Sequence, residues 1–236
     1  MKINRRDLIA GIGSAGAGLI LSSCSLLPRK NRSPSQPSNE DITAVEDLMR
    51  EHGILRRALF VYSESAVKLR SGSATTLFDA LHKTAGLFRT FGEEYHEKKL
   101  EETYIFPAIK KAGGEAAAYP DILIAQHNRG WQITDYILAM TDGRNSHDGE
   151  QLSLVLESFV RMYRPHAARE DTIVFPAWKH TLTAKQLDEM GDKFEEIEQQ
   201  QFGKDGFEDA AEQIAAIERE LGLADLSQFT AEPVRI

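Results

Sequence analysis

Read for its spacing of apolar and polar positions, the chain is helical almost throughout. Val45, Leu48, Met49, Leu55 and Leu59 recur at helical intervals and predict a first helix running to about Arg70, with Asp41 or Thr43 as its cap. The stretch SGSAT interrupts it. A long second helix is expected from about Thr76 to Lys111, closed by Gly113 and Gly114. Pro120 opens a third, to about Thr141. The stretch DGRNSHDG reads as a loop, and a fourth helix follows from about Glu150 to His180. A fifth is capped by Thr183, and a sixth stops at Gly222. No strand-like alternation is present. The expected fold class is all-α, an up-down antiparallel four-helix bundle over 41–181 with two additional C-terminal helices over 182–236 that cover one face or end of it.

The first forty residues are different. A basic start with Arg5 and Arg6 leads into a Gly/Ala-rich apolar run from Leu8 to Leu21. That run is shorter than the ~20 residues a spanning helix needs, so it reads as the apolar core of an export signal. Arg5 and Arg6 resemble the twin-arginine type. The lone cysteine, Cys24, ends the stretch LSSC, which resembles the lipobox of bacterial lipoproteins. The expectation is a signal peptide over 1–23, lipidation at Cys24, a Pro/Ser-rich tether over 24–40 and a place in the periplasm or cell envelope, held to the membrane by the lipid anchor. With one cysteine no internal disulfide can form. A formal net charge of −8 argues against gripping nucleic acid, and no glycine-rich phosphate loop is present.

The chemistry lies in two echoed phrases. YHEKKLEETYIFPAIK (95–110) and YRPHAAREDTIVFPAW (163–178) each carry a histidine, an acidic residue and a closing Phe-Pro. His166 and Glu170 are four apart and share a helix face. His96 and Glu101 are five apart, off one another's face in a regular α-helix. Either a π-bulge absorbs the extra residue or Glu97 serves instead, itself four residues before Glu101. Glu101 is taken as the ligand, with Glu97 in reserve. His52 and His127 add one imidazole each from the first and third helices. His82 is expected ~21 Å along the helix from His96, too far to share a site; His147 and His180 are expected on the surface. Glu51, Glu93, Glu94 and Glu102 read as a solvated face. Phe106, Phe175 and Trp131 read as core, Tyr95, Tyr104 and Tyr163 as core or as supports of the site. Arg56, Arg57 and Arg129 are candidates to pair with carboxylates around it.

This order of one His, His plus Glu, His, and His plus Glu on four successive helices resembles the hemerythrin-like HHE cation-binding family, over roughly residues 41–180. The resemblance implies a four-helix bundle holding a non-haem di-iron centre, two Fe per chain, with metal ligands His52, His96, Glu101, His127, His166 and Glu170. Manganese and zinc are the alternatives that imidazole and carboxylate donors also suit. Two departures separate the chain from the oxygen carriers of that family. They place a further histidine where Trp131 stands, and an aspartate where Glu170 stands. The implied function is a non-catalytic binder or sensor of O2, NO or iron. An oxidoreductase acting on peroxide or NO, and a metal-free structural module, are the alternatives.

Overall fold

The computed structural model describes residues 42–71, 77–143 and 148–234. The export signal with Arg5 and Arg6, the lipobox Cys24, the tether and His147 lie outside the described residues, as does most of the SGSAT break.

Four long helical rods, α1 to α4, carry the core. Helix α1 (Ala44–Arg70) has Glu46 and Asp47 in its first turn and Lys68 and Arg70 in its last, the charge order that suits the helix dipole. Rod α2 (77–112) has three segments. Leu77–Leu87 and Phe106–Ala112 are α-helical, and Phe88–Ile105 between them is π-helical. The expectation of an α-helix throughout is therefore corrected. The bulge that the His96–Glu101 spacing allowed for is a π-helix of 18 residues. Near its end Thr103 Oγ1 donates to the carbonyl of Lys98, five residues back. Helix α3 is Pro120–Met140. Rod α4 (149–180) is α-helical over Gly149–Arg169, π-helical over Glu170–Val174 and α-helical again over Phe175–His180. Asp148 caps it by accepting from the Gln151 amide.

Contacts between neighbouring rods run in opposite order. Along α1 and α4, His52 meets Asp171 and Ser153 Oγ donates to the Ala66 carbonyl. Along α1 and α2, Glu51 meets His96 and Tyr62 meets Phe88. Along α2 and α3, Arg89 meets Asp135 and Glu102 meets His127. Along α3 and α4, Gln126 meets His166 while a Cβ on Gly130 would meet Tyr163. One end of the shared core is aromatic: Tyr62, Phe88, Phe159 and Tyr163 pack with ring centroids 4.6–5.5 Å apart at several contacts, the tilted geometry aromatic quadrupoles favour.

Helix α5 (Ala184–Phe202) starts at a capping box formed by Thr183 and Gln186. Its Phe194 stacks on Trp178, and its Phe202 packs against Phe91 and Tyr95. Helix α6 (Gly206–Glu220) binds α1 through Arg57 and Glu218 and through Arg50, whose guanidinium lies 4.2 Å over the Phe207 ring. Both close over flanks of α1 and α2.

Three expectations about surface and core are corrected. Glu51 and Glu93 are buried, at 2% and 1% exposure, because each meets hydrogen-bond donors inside the bundle. Trp131 is 39% exposed; its ring lies under the Arg89 guanidinium at 3.7 Å, so a cation–π contact holds it rather than the core. Phe106 and Phe175 are buried as expected, and no helix among the described residues is long and apolar enough to cross a membrane.

Candidate metal centre

The six sequence-selected residues come together. His52 from α1, His96 and Glu101 from α2, His127 from α3, and His166 and Glu170 from α4 are all buried, with exposures from 0 to 4%. The π-helical turn of α2 brings His96 Nε2 within 3.3 Å of Glu101 Oε1, and the α-turn of α4 brings His166 Nε2 within 3.1 Å of Glu170 Oε1. Each carboxylate also faces a second direction. Glu101 Oε2 is 3.4 Å from His127 Nε2, and Glu170 Oε2 is 3.5 Å from His52 Nε2. Two overlapping groups of donors result, each able to hold a metal ion: His52, His96 and Glu101, and Glu101, His127, His166 and Glu170. Glu101 belongs to both.

The reserve residue Glu97 is buried on the pocket wall but in neither group. Its Oε1 accepts from Tyr163 Oη at 2.8 Å. Tyr163 fits because residue 130 is glycine. A Cβ there would collide with the phenol, coming within 2.8 Å of ring carbons. Gly130→Ala should therefore lower stability by about 1–3 kcal/mol, the range for overpacking, and denaturant titration checks it.

The outer nitrogens of the four rings were not accounted for by the sequence pattern, and they explain the orientation of the inner ones. His52 Nδ1 lies 2.7 Å from Asp171, His96 Nδ1 2.6 Å from Glu51, His127 Nδ1 3.1 Å from Glu102, and His166 Nδ1 2.8 Å from Gln126 Oε1. A carboxylate, or the oxygen of an amide, only accepts. Each Nδ1 therefore carries the proton, and in the neutral ring each Nε2 presents a lone pair to the interior. The acceptors are sequence neighbours of the inward residues, yet each serves another helix. Glu51 precedes His52 and holds His96; Gln126 precedes His127 and holds His166; Glu102 follows Glu101 and holds His127; Asp171 follows Glu170 and holds His52.

The interior is thus crowded with acceptors. His127 Nε2 and His166 Nε2 face each other at 3.1 Å. His96 Nε2 and all four carboxylate oxygens of Glu101 and Glu170 are buried with no hydrogen bond. So many unpaired acceptors in an apolar interior are costly unless cations lie among them. Protons on some rings or metal ions can serve. The electrostatics show the first route. Burial pushes the His96 and His127 rings down, but the carboxylates beside them, Glu101 with Glu51 for His96 and Glu97 with Glu101 for His127, outweigh it and hold both well above the ordinary imidazole range. Burial pushes the Glu101 carboxyl up, and the His96 and His127 rings overcome it and hold it well below the carboxylate range. His52 goes the other way, to about 3, because burial and the adjacent His96 both disfavour its charge. The second route suits the donor set: mixed imidazole and carboxylate, no thiolate, and every Nδ1 tied to an acceptor in the way metal-ligating histidines are.

The remaining candidates stand apart. His82 Nδ1 bonds Thr141 Oγ1 at 3.0 Å, and His180 is exposed at the end of α4. Arg56 pairs with Asp171 and so touches the His52 support, while Arg57 pairs with Glu218 away from the cluster.

The family model for the hemerythrin HHE cation binding domain matches residues 43–178. Uncharacterized proteins of Mycobacterium tuberculosis and Mycobacterium bovis are each 39% identical over 235 residues, covering 97% of this chain and 91% of theirs. No solved structure matches.

Proposed function

The chain belongs to the hemerythrin HHE cation-binding family, and from that premise we propose that it is a non-haem di-iron protein that binds or senses a small ligand, O2 or NO, or iron itself. The observation that carries this reading is the set of inward Nε2 lone pairs and unpaired Glu101 and Glu170 oxygens, divided into two groups that share a carboxylate. One iron would be held by His52 and His96, the other by His127 and His166, with Glu101 and Glu170 between them. Two six-coordinate ions need about twelve donor positions. Four imidazoles and two bidentate carboxylates supply fewer, so bound iron would offer open positions to an outside ligand. A single tetrahedral zinc would leave donors idle. The chain's own part is to fix the rings through Glu51, Glu102, Gln126 and Asp171, and to keep bulk water out with the aromatic core beside the site.

The opposite order of contacts between successive rods supports the reading of α1 to α4 as an up-down antiparallel four-helix bundle. Tyr163, whose hydroxyl donates to Glu97 on the pocket wall, favours one alternative, a di-iron oxidoreductase acting on peroxide or NO, because it sets a proton donor close to the centre. Iron-loaded protein separates the two readings. A binder shows a charge-transfer band that shifts stoichiometrically with NO and consumes neither NO nor H2O2 beyond about one equivalent. Sustained turnover of either would establish the enzyme.

The export reading rests on Arg5, Arg6 and the Leu21–Cys24 stretch. Replacing Cys24 by Ser should move the protein from the membrane fraction to the soluble fraction of the envelope, since the acyl chains provide the attachment. A wild-type chain found wholly in the cytoplasm contradicts this.

A further inference from the structure

Three of the four residues that hold the histidine rings are carboxylates, and each uses one oxygen for the ring and the other for a second donor. Asp171 accepts from His52 and from Arg56. Glu102 accepts from His127 and from Lys98. Both second donors are cations with much of their side chains in solvent, 43% for Arg56 and 63% for Lys98. Water competes for such charges, and the pairs hold weakly. Glu51 differs. Its Oε2 accepts from His96 Nδ1, and its Oε1 accepts from Tyr95 Oη, 3.1 Å away. Tyr95 is 1% exposed, so water does not stand in for its hydroxyl.

The Tyr95 ring is fixed from outside the four rods. Phe202, the last residue of α5, meets it edge-on with 5.3 Å between centroids, and also packs on Phe91. The turn that follows makes room for that phenyl ring. Gly203 ends α5 in left-handed backbone, at φ 68°. Residue 206 is glycine, where a Cβ would lie 2.3 Å from Phe202 Cδ2. Helices α5 and α6 lie beyond the 43–178 stretch that the family match covers. We propose, resting on the metal-binding reading above, that Tyr95 and Phe202 are positioning residues for the half of the centre made by His52, His96 and Glu101, and that the C-terminal extension thereby sets the affinity of one of the two metal positions. The path runs from Phe202 to the Tyr95 ring, from the Tyr95 hydroxyl to Glu51, and from Glu51 to His96 Nδ1. His127 and His166 are held by Glu102 and Gln126, which are not part of it.

Ferrous iron is the probe, titrated without oxygen into the full chain against a competing chelator. Tyr95→Phe keeps the ring and removes the hydroxyl. It should weaken one iron about tenfold and leave the other within about twofold. Phe202→Ala should weaken the same iron, and Phe202→Leu, which refills part of the space, should fall between native and Ala. Phe194→Ala strips α5 from Trp178 and Tyr104 instead. It controls for general loosening and should leave both irons within about twofold. A second readout needs no metal: the side-chain nitrogen resonances of His96 in the metal-free protein should shift in Tyr95→Phe and Phe202→Ala but not in Phe194→Ala. Both irons weakened alike, an equal loss in Phe194→Ala, or His96 resonances unmoved in Phe202→Ala overturns the proposal. A native chain that takes up no iron overturns the underlying metal reading instead, and that result is seen before any variant is compared.

Discussion

Glu101→Ala should leave the protein with almost no bound metal, a larger loss than any single histidine replacement. Glu101 belongs to both donor groups, is completely buried, and makes no hydrogen bond with either oxygen. Removing an imidazole such as His52 takes a donor from one group only. Replacing an outer support such as Glu51 or Asp171 leaves every inward donor in place and should cost about 10–100-fold in metal affinity. Glu101→Ala should exceed the upper end of that range. Glu101→Gln keeps the shape but replaces the charge and one acceptor, so it should fall close to Ala. Elemental analysis with competitive chelator titration ranks the variants. A Glu101→Gln protein that retains full metal would remove Glu101 from the centre.

Stripping the metal should lower the melting temperature by about 8–16 °C at neutral pH. A ligand that binds only the native state stabilises it by RT ln(1 + [L]/Kd), about 4 kcal/mol when free metal is 1,000 times Kd. For a domain of this size each kcal/mol moves the melting temperature by about 2–4 °C. The pH dependence follows from the two rings that are raised in the metal-free protein, His96 and His127. A histidine whose folded pKa lies above its unfolded value of about 6.5 stabilises the fold fully below that value. The contribution is lost as pH rises through the folded pKa. The metal-free protein should therefore lose stability as pH rises above about 6.5. The metal-loaded protein needs neutral rings and should lose less, only the part that other groups such as Glu93 contribute to both forms. The gap between their melting temperatures widens with pH, and calorimetry of both forms at several pH values measures it. A gap that narrows over that range would show that these rings do not meet the metal.

Much of this was legible in the sequence because it is local. Helix punctuation by Gly113, Pro120, Thr183 and Gly222 depends on backbone chemistry within a few residues. The four-residue step from His166 to Glu170 fixes a common face without reference to any other helix. The five-residue step from His96 to Glu101 already signalled a departure from regular winding, although nothing local predicted that it would extend over Phe88–Ile105. What escaped is what depends on packing between rods. Glu51 and Glu102 flank chosen residues and look like solvated acids by composition, but each turns inward to a histidine on a different helix. Glu93 accepts from Thr134 on α3, and burial with the nearby Glu97 raises its carboxyl to about 8. Trp131 read as core because tryptophan is large and apolar; Arg89 from α2 gives it an outside partner instead. In each case the deciding atom comes from another helix, at a register that composition and period do not encode.

The pairing of two donor groups around Glu101 is tested most directly by the metal content of the full chain purified after iron-replete expression. The arrangement of four inward imidazoles and two carboxylates, of which Glu101 belongs to both groups, predicts about two irons per chain. A value under about half a metal per chain would contradict it, and would leave protons on His96 and His127 as the charges that hold the interior together.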